Sequence, residues 1–249
     1  MMSVELTNQV ALVTGSSRGL GRGIALALAR AGARIGINYL NNKTAAQEVA
    51  AQIRQLGSEA ILVQADVCDY DQVEQMIARI LEKWGKIDLL VNNVGNFLQK
   101  QISEIEISEW HGLIASNLHS AFYCCKATLP HMRQRKYGRI VNIGLANANR
   151  IQSYQRITPY AIAKTGLVIL TKSMAVEEGP FGISVNVVSP GLMDNGSLSS
   201  QELTALAERV PMGHVGTAKD LSDAILFLAS PKAVYITGTE IIVSGGWGV

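Results

Sequence analysis

Short runs dense in Val, Ile and Leu alternate with helix-length amphipathic segments along almost the whole chain. The runs are 10–13, 34–38, 60–64, 89–92, 139–143, 183–188 and 241–243. Most lack strict polar alternation, the pattern of strands covered on both faces. Between them lie helix-length stretches at 21–30, 44–56, 70–83, 108–132, 158–177 and 219–228. Gly32 and Gly57 stand just past two of these, where a helix ends in a left-handed residue. Strands interleaved with helices fold as a doubly wound, seven-stranded parallel sheet in an α/β class, with three α/β/α layers. No repeat or linker divides the chain, so residues 1–249 are expected to form one domain. The least regular stretch, 192–215, follows the sixth strand. Ligands of open α/β sheets sit beyond the carboxyl ends of the strands, which makes this stretch a candidate substrate lid.

The junction of the first strand and first helix reads Thr14-Gly15-Ser16-Ser17-Arg18-Gly19-Leu20-Gly21. Glycines there allow a tight turn and let the backbone approach a pyrophosphate, and the helix N-terminus favours its charge. The spacing is T-G-x-x-x-G-x-G rather than G-x-G-x-x-G. A Rossmann-type dinucleotide site is expected, with Gly15, Ser17, Arg18, Gly19, Leu20 and Gly21 as its phosphate loop. Gly15 to Gly19 also fits the G-x-S-x-G elbow of hydrolases, with Asp194 and His214 following in triad order. That elbow needs an oxyanion amide from a loop after an earlier strand, and no strand precedes this one. An NAD site wants a carboxylate about 20 residues past the glycines. Here no Asp or Glu occurs between Glu5 and Glu48, while Arg18, Arg22, Arg30, Arg34 and Lys43 do. Arg18 lies in the loop itself, where a guanidinium can fork onto a 2′-phosphate. The expected cofactor is NADP(H).

Composition excludes several other functions. Lys and Arg exceed Asp and Glu by only two (22 against 20) and are scattered, so neither nucleic acid nor an acidic membrane is implied as a partner. No run approaches the ~20 apolar residues of a membrane span, and Met1 to Glu5 show no basic-then-apolar signal, so a cytoplasmic protein is expected. Cys68, Cys124 and Cys125 do not make a disulfide framework. The four histidines show no metal-ligand spacing, and no metal is expected.

Tyr160 and Lys164 stand four residues apart, on one face of a helix. An ammonium beside a phenol can hold down the phenol's proton affinity and make it a usable acid. With the glycine loop, the pair points to hydride chemistry at a carbonyl.

Together these residues resemble the short-chain dehydrogenase/reductase family, single-domain type, over essentially the whole chain. Thr14 to Gly21 matches its cofactor loop, Asp66-Val67 its Asp-Val beside the adenine, and Asn92-Asn93-Val94-Gly95 its N-N-A-G with Val for Ala. Tyr160 and Lys164 match Y-x-x-x-K, Pro190-Gly191 its P-G, and Tyr235 to Gly238 its C-terminal signature. The resemblance implies that Asn38, Tyr39, Asp66, Val67, Asn93, Gly95, Pro190, Gly191 and Met193 line the cofactor together with Tyr160 and Lys164. It implies Tyr160 as acid, Lys164 as its partner and the holder of the nicotinamide ribose, and Asn117 as anchor of a relay water. It also implies a homotetramer. The arginine in the glycine loop and the acid-free second strand are similar to NADPH-dependent 3-oxoacyl-carrier-protein reductases, and the stretch 227–246 is similar to pteridine reductases. An enoyl reductase and a weakly catalytic NADP(H)-binding sensor or assembly subunit are the remaining alternatives.

The pattern breaks in one important place. The family's serine, which hydrogen-bonds the substrate carbonyl, should fall at Leu145, a residue with no donor. Counting thirteen back from Tyr160 gives Asn147, which with Asn149 and Ser153 makes up the substitute donors; Asn147 is the one assigned to catalysis. The threonine expected after Pro190-Gly191 is replaced by Met193-Asp194-Asn195-Gly196, where Asn195 can substitute.

Overall fold

The computed structural model describes residues 4–248. Seven strands, β1 (Val10–Val13), β2 (Arg34–Tyr39), β3 (Ala60–Gln64), β4 (Leu89–Asn92), β5 (Gly138–Ile143), β6 (Ile183–Pro190) and β7 (Glu240–Val243), pair in parallel in the order β3-β2-β1-β4-β5-β6-β7. The order reverses between β1 and β4, which leaves a crevice at their carboxyl ends.

Alternating side chains send each strand's apolar residues to two separate cores. From β1, Ala11 and Val13 enter one core while Val10 and Leu12 enter the other. The first core is closed by α1 (Gly19–Arg30), α2 (Lys43–Gln55) and α8 (Ala218–Ala229). The second is closed by α3 (Tyr70–Trp84), α5 (Ser120–Arg135) and α6 (Thr158–Glu178). Both faces are therefore buried, which is why the strands read as continuous apolar runs. Gly32 and Gly57 take φ of +94° and +83° just past α1 and α2, as their sequence positions suggested.

Two helical regions differ from the sequence expectation. The stretch expected as one helix over 108–132 is α4 (Ile107–Ile114), a π turn (Ala115–His119) and then α5. Polar side chains account for the break. Ser116 Oγ donates to Gly112 O (2.8 Å) and Asn117 Nδ2 to Leu113 O (3.0 Å), competing with the backbone one turn back. The second difference is α7 (Ser200–Ala207), inside the stretch read as irregular. Ser199 and Glu202 close a reciprocal capping box at its start.

No helix among the described residues is long and apolar enough to cross a membrane. The three cysteines are free thiols, and no group of metal-ligating side chains occurs among the described residues.

Candidate active site

The glycine loop is held in place by residues at the ends of its neighbouring strands. Asn38, 2 % exposed at the end of β2, accepts from Gly15 N (3.0 Å) and donates to Val63 O (3.3 Å) and Ala65 O (3.1 Å). Both its N–H donors are used on protein, so Asn38 holds the shape of the loop where a cofactor contact was expected. Asn93 does the same from β4, donating to Thr14 O (2.9 Å), while Thr14 Oγ1 accepts from Asn93 N (2.9 Å) and Val94 N (3.2 Å). Space at the loop is tight enough to require glycine. A Cβ on Gly21 would stand 2.4 Å from Gly15 O and 2.5 Å from Asn93 Nδ2, and Gly15 itself has φ +62°.

The first turn of α1 has no acidic residue, and its N-cap, Arg18, makes no side-chain cap. Its leading N–H groups thus point, uncapped by any side chain, into the crevice between β1 and β4. A glycine cradle beneath a free helix N-terminus suits a pyrophosphate. Ser17 is half-buried beside it, Arg18 and Gly19 are exposed, and Leu20 packs on the first core. At the far side of the crevice, Tyr39 is buried in the first core, Val67 is buried in the second, and Asp66 Oδ1 accepts from Cys68 N (2.9 Å).

Tyr160 and Lys164 are brought to the crevice by α6. Pro159 sits in its first turn, where a missing N–H costs nothing. A buried polar ladder then fixes the helix on the sheet: Asn92 Nδ2 donates to Asn142 Oδ1 (2.8 Å), and Asn142 Nδ2 to Thr171 Oγ1 (2.8 Å). Asn92 belongs to the Asn92-Asn93-Val94-Gly95 motif, whereas Asn142 and Thr171 were not singled out from the sequence. Lys164, 3 % exposed, donates to Ile143 O (2.7 Å), and its Nζ lies 5.6 Å from the Tyr160 ring centroid. A Cβ on Gly95 would stand 2.3 Å from Asn117 Oδ1 and 3.4 Å from Lys164 Nζ, so Gly95, Asn117 and Lys164 converge on one point. Asn117 reaches it from the π turn, its Nδ2 donating to Asn96 O (2.8 Å) while its buried Oδ1 has no partner among the described protein groups.

Tyr160 is half-buried, and its hydroxyl makes no hydrogen bond among the described residues. The Phe97 ring meets it edge-on, with centroids 5.2 Å apart. Burial pushes the phenol up to about 12 and the Lys164 ammonium down to about 8. The sequence leads one to expect Lys164 to lower the phenol, whereas burial moves it the other way here. Tyr160 is a protonated phenol at neutral pH.

Asn147 does not take the place assigned to it. With φ +66°, it turns its amide to donate to Gly248 O, and its own carbonyl accepts from Tyr154 OH (2.6 Å). Leu145 stays beside Tyr160 in an apolar cluster with Ala148, Tyr154 and Ile157. Asn149 and Ser153 are exposed.

The stretch 192–215 lies against the glycine loop. Met193 pairs with Gly216, Asp194 N donates to Gly216 O (2.8 Å), and Asn195 O would be 3.6 Å from a Cβ on Gly19. Pro190 and Gly191 carry β6 into it, with Gly191 packed on Ser244. A cleft of about 980 Å³ opens elsewhere, between the 150–156 stretch and α6; neither Tyr160 nor Lys164 lines it.

A family model described as enoyl-(acyl carrier protein) reductase matches residues 15–248. The 3-oxoacyl-[acyl-carrier-protein] reductase of Synechocystis is 38 % identical over 242 residues, covering 97 % of each chain. That of Staphylococcus epidermidis is 35 % identical over 247 residues, 96 % of this chain and 98 % of the relative. The chain belongs to the short-chain dehydrogenase/reductase family. Solved structures agree. A double variant of a Serratia marcescens short-chain dehydrogenase/reductase superposes with a TM-score of 0.90 at 32 % identity, covering 98 % of this chain and 99 % of that one. A short-chain type dehydrogenase/reductase from Mycobacterium marinum gives 0.89 at 31 %, covering 99 % and 97 %. As a short-chain dehydrogenase/reductase, this protein is an oxidoreductase that acts on a carbonyl or the matching alcohol with a nicotinamide cofactor.

Proposed function

We propose that this short-chain dehydrogenase/reductase is an NADPH-dependent ketone reductase in which Tyr160 is the acid. 3-Oxoacyl thioesters, the substrates named for its relatives, are the first class to test. The observation that carries the reading is the uncommitted Tyr160 hydroxyl, on the same helix face as buried Lys164 and beside the point where Gly95 and Asn117 converge.

When bound, the dinucleotide would supply the hydride for the carbonyl carbon. Gly15, Ser17, Gly19, Leu20 and Gly21 would hold its pyrophosphate, with Tyr39, Asp66 and Val67 at the adenosine end and Gly95, Pro190, Gly191 and Met193 towards the nicotinamide. Arg18 supports the choice of the phosphorylated form: it is exposed at the loop and makes no ion pair among the described residues, whereas Arg34 is held by Glu59 (3.2 Å) and Arg22 by Gln52 (3.0 Å). Tyr160 gives its proton to the substrate oxygen as charge develops there. Lys164, charged at neutral pH, stabilises the phenolate left behind and is placed to hold the ribose. Asn117 Oδ1 offers the acceptor that orients a water for reprotonation. Asn147 keeps a positioning role, with its amide on Gly248.

Tyr160→Phe removes the proton and little else. Turnover of an acetoacetyl thioester should fall by at least a thousandfold while NADPH, titrated by fluorescence, binds as before; turnover within about tenfold of wild type, roughly 1.4 kcal/mol, would sink the acid role. We further propose a cytoplasmic homotetramer. The exposed stripe Ile162, Ile169 and Val176 and the exposed patch Val234, Tyr235 and Ile242 offer the apolar faces it would use, and light scattering reports the mass.

A further inference from the structure

A carbonyl oxygen becoming an alkoxide has lone pairs for two donors, and leaving one of them unmet is costly away from water. Around Tyr160 the structure supplies only one. Leu145, 8 % exposed, packs in the same cluster as the tyrosine and offers no donor. The polar side chains nearby are engaged elsewhere: Asn147 Nδ2 donates to Gly248 O, Tyr154 OH to Asn147 O, and Asn117 Nδ2 to Asn96 O and Leu113 O, while Lys164 Nζ donates to Ile143 O and keeps its other N–H groups for the ribose. Phe97, 62 % exposed and edge-on to Tyr160, adds an aromatic surface at the mouth. Tyr154 packs on the same apolar cluster as Leu145 and Tyr160, so with Phe97 three rings gather around this part of the site.

We infer that Leu145 selects substrates that bring the second donor with them: flat aryl ketones or quinones with a hydroxyl ortho or peri to the reacting carbonyl. The internal O–H···O bond of such a ketone fills the lone pair that the protein leaves open, and Leu145 and Phe97 pack on its apolar rings. In the reduction the carbonyl carbon gains hydride from the reduced nicotinamide, the oxygen gains the Tyr160 proton, and the neighbouring hydroxyl keeps its own. A simple ketone in the same place must react with one lone pair unmet. This inference rests on Tyr160 being the acid and narrows the substrate of that same site.

The test is a matched pair, 1-tetralone and 8-hydroxy-1-tetralone, followed by NADPH oxidation with wild type and the Leu145→Ser, Leu145→Thr and Leu145→Val variants. Wild type should reduce the hydroxylated ketone. Ser and Thr add a donor, and Thr keeps more of the buried volume should Ser fail to fold; Val changes size alone. The hydroxyl variants should raise kcat/KM for 1-tetralone at least about tenfold, a conservative threshold beside the roughly hundredfold low end of one oxyanion donor's contribution, and shift the hydroxylated ketone less than about threefold. Val should give no such gain. Comparing each substrate across enzymes cancels the intrinsic reactivity difference between the two ketones. Equal gains on both substrates, gain on neither, or no turnover of 8-hydroxy-1-tetralone by wild type overturns the inference. Tyr160→Phe is assayed alongside: if it stays active, the acid role itself has failed, whereas an inactive Tyr160→Phe with unselective Leu145 variants defeats only the narrower proposal.

Discussion

Replacing Lys164 with methionine tests how the site holds its cation. Lys164 is 3 % exposed, and burial lowers its pKa from 10.5 to about 8. The unfolded chain therefore binds more protons than the folded one between those two values, and the contribution of Lys164 to stability rises with pH across that window. At roughly 1.4 kcal/mol per unit, the full swing is about 3 kcal/mol, of which about 2 kcal/mol falls between about pH 7 and about pH 9.5. Other groups run in the opposite direction. Burial holds Cys68 up at about 11, Cys125 at about 12 and Cys124 well above 9.0, so their contributions fall as pH climbs past the ordinary thiol value. Tyr160, raised from 10.0 to about 12, joins them only near the top of the range. The wild-type curve alone mixes these effects, but its difference from Lys164→Met isolates the lysine. Urea unfolding of both cofactor-free proteins at the two pH values should show the gap moving by about 2 kcal/mol in favour of wild type at the higher pH. A gap constant to within about 0.5 kcal/mol would refute the reasoning, because it would mean that the buried lysine charges as easily folded as unfolded.

Three further outcomes are expected. Gly21→Ala places a methyl 2.4 Å from Gly15 O, so the loop must shift; NADPH affinity by fluorescence should drop at least tenfold, about 1.4 kcal/mol, with the far-ultraviolet spectrum of the fold unchanged. Arg18→Ala removes a charged contact of about 1.5–3 kcal/mol, weakening NADPH by roughly tenfold or more and leaving NADH within about threefold. Arg133→Ala strips Glu178, 1 % exposed, of its two guanidinium bonds (2.7 and 2.5 Å); urea unfolding should show a loss of about 2 kcal/mol, with no change in cofactor affinity.

The strands were legible because burial on both faces leaves an unbroken apolar run, and the expected boundaries differ from those observed by no more than two residues. Helices were legible where they were regular. The π turn at Ala115–His119 was not, because it arises from Ser116 and Asn117 competing for carbonyls one turn back, which apolar periodicity does not register. Helix α7 did leave a sign, Ser199 and Glu202 three residues apart, but its apolar face is weak and none of its residues is buried. In the site, Tyr160, Lys164 and the glycines announced themselves by spacing, and Asn117 by the family resemblance. Leu145 was equally plain as a missing donor. What spacing could not tell was where Asn147 points, because that depends on Gly248, 101 residues away. Nor could it reveal that burial raises the Tyr160 phenol.

Asn38 and Tyr39 are neighbours in sequence but face opposite sides of the sheet, one tied to the glycine loop and the other packed in the first core. One position maintains the shape that any dinucleotide needs. The next ends the strand at which, in this type of fold, a carboxylate or its absence decides between two cofactors. Shape and preference are thereby inherited separately. Changes just after position 39 can therefore act on the choice of cofactor while the Asn38 bonds that hold the glycine loop stay intact.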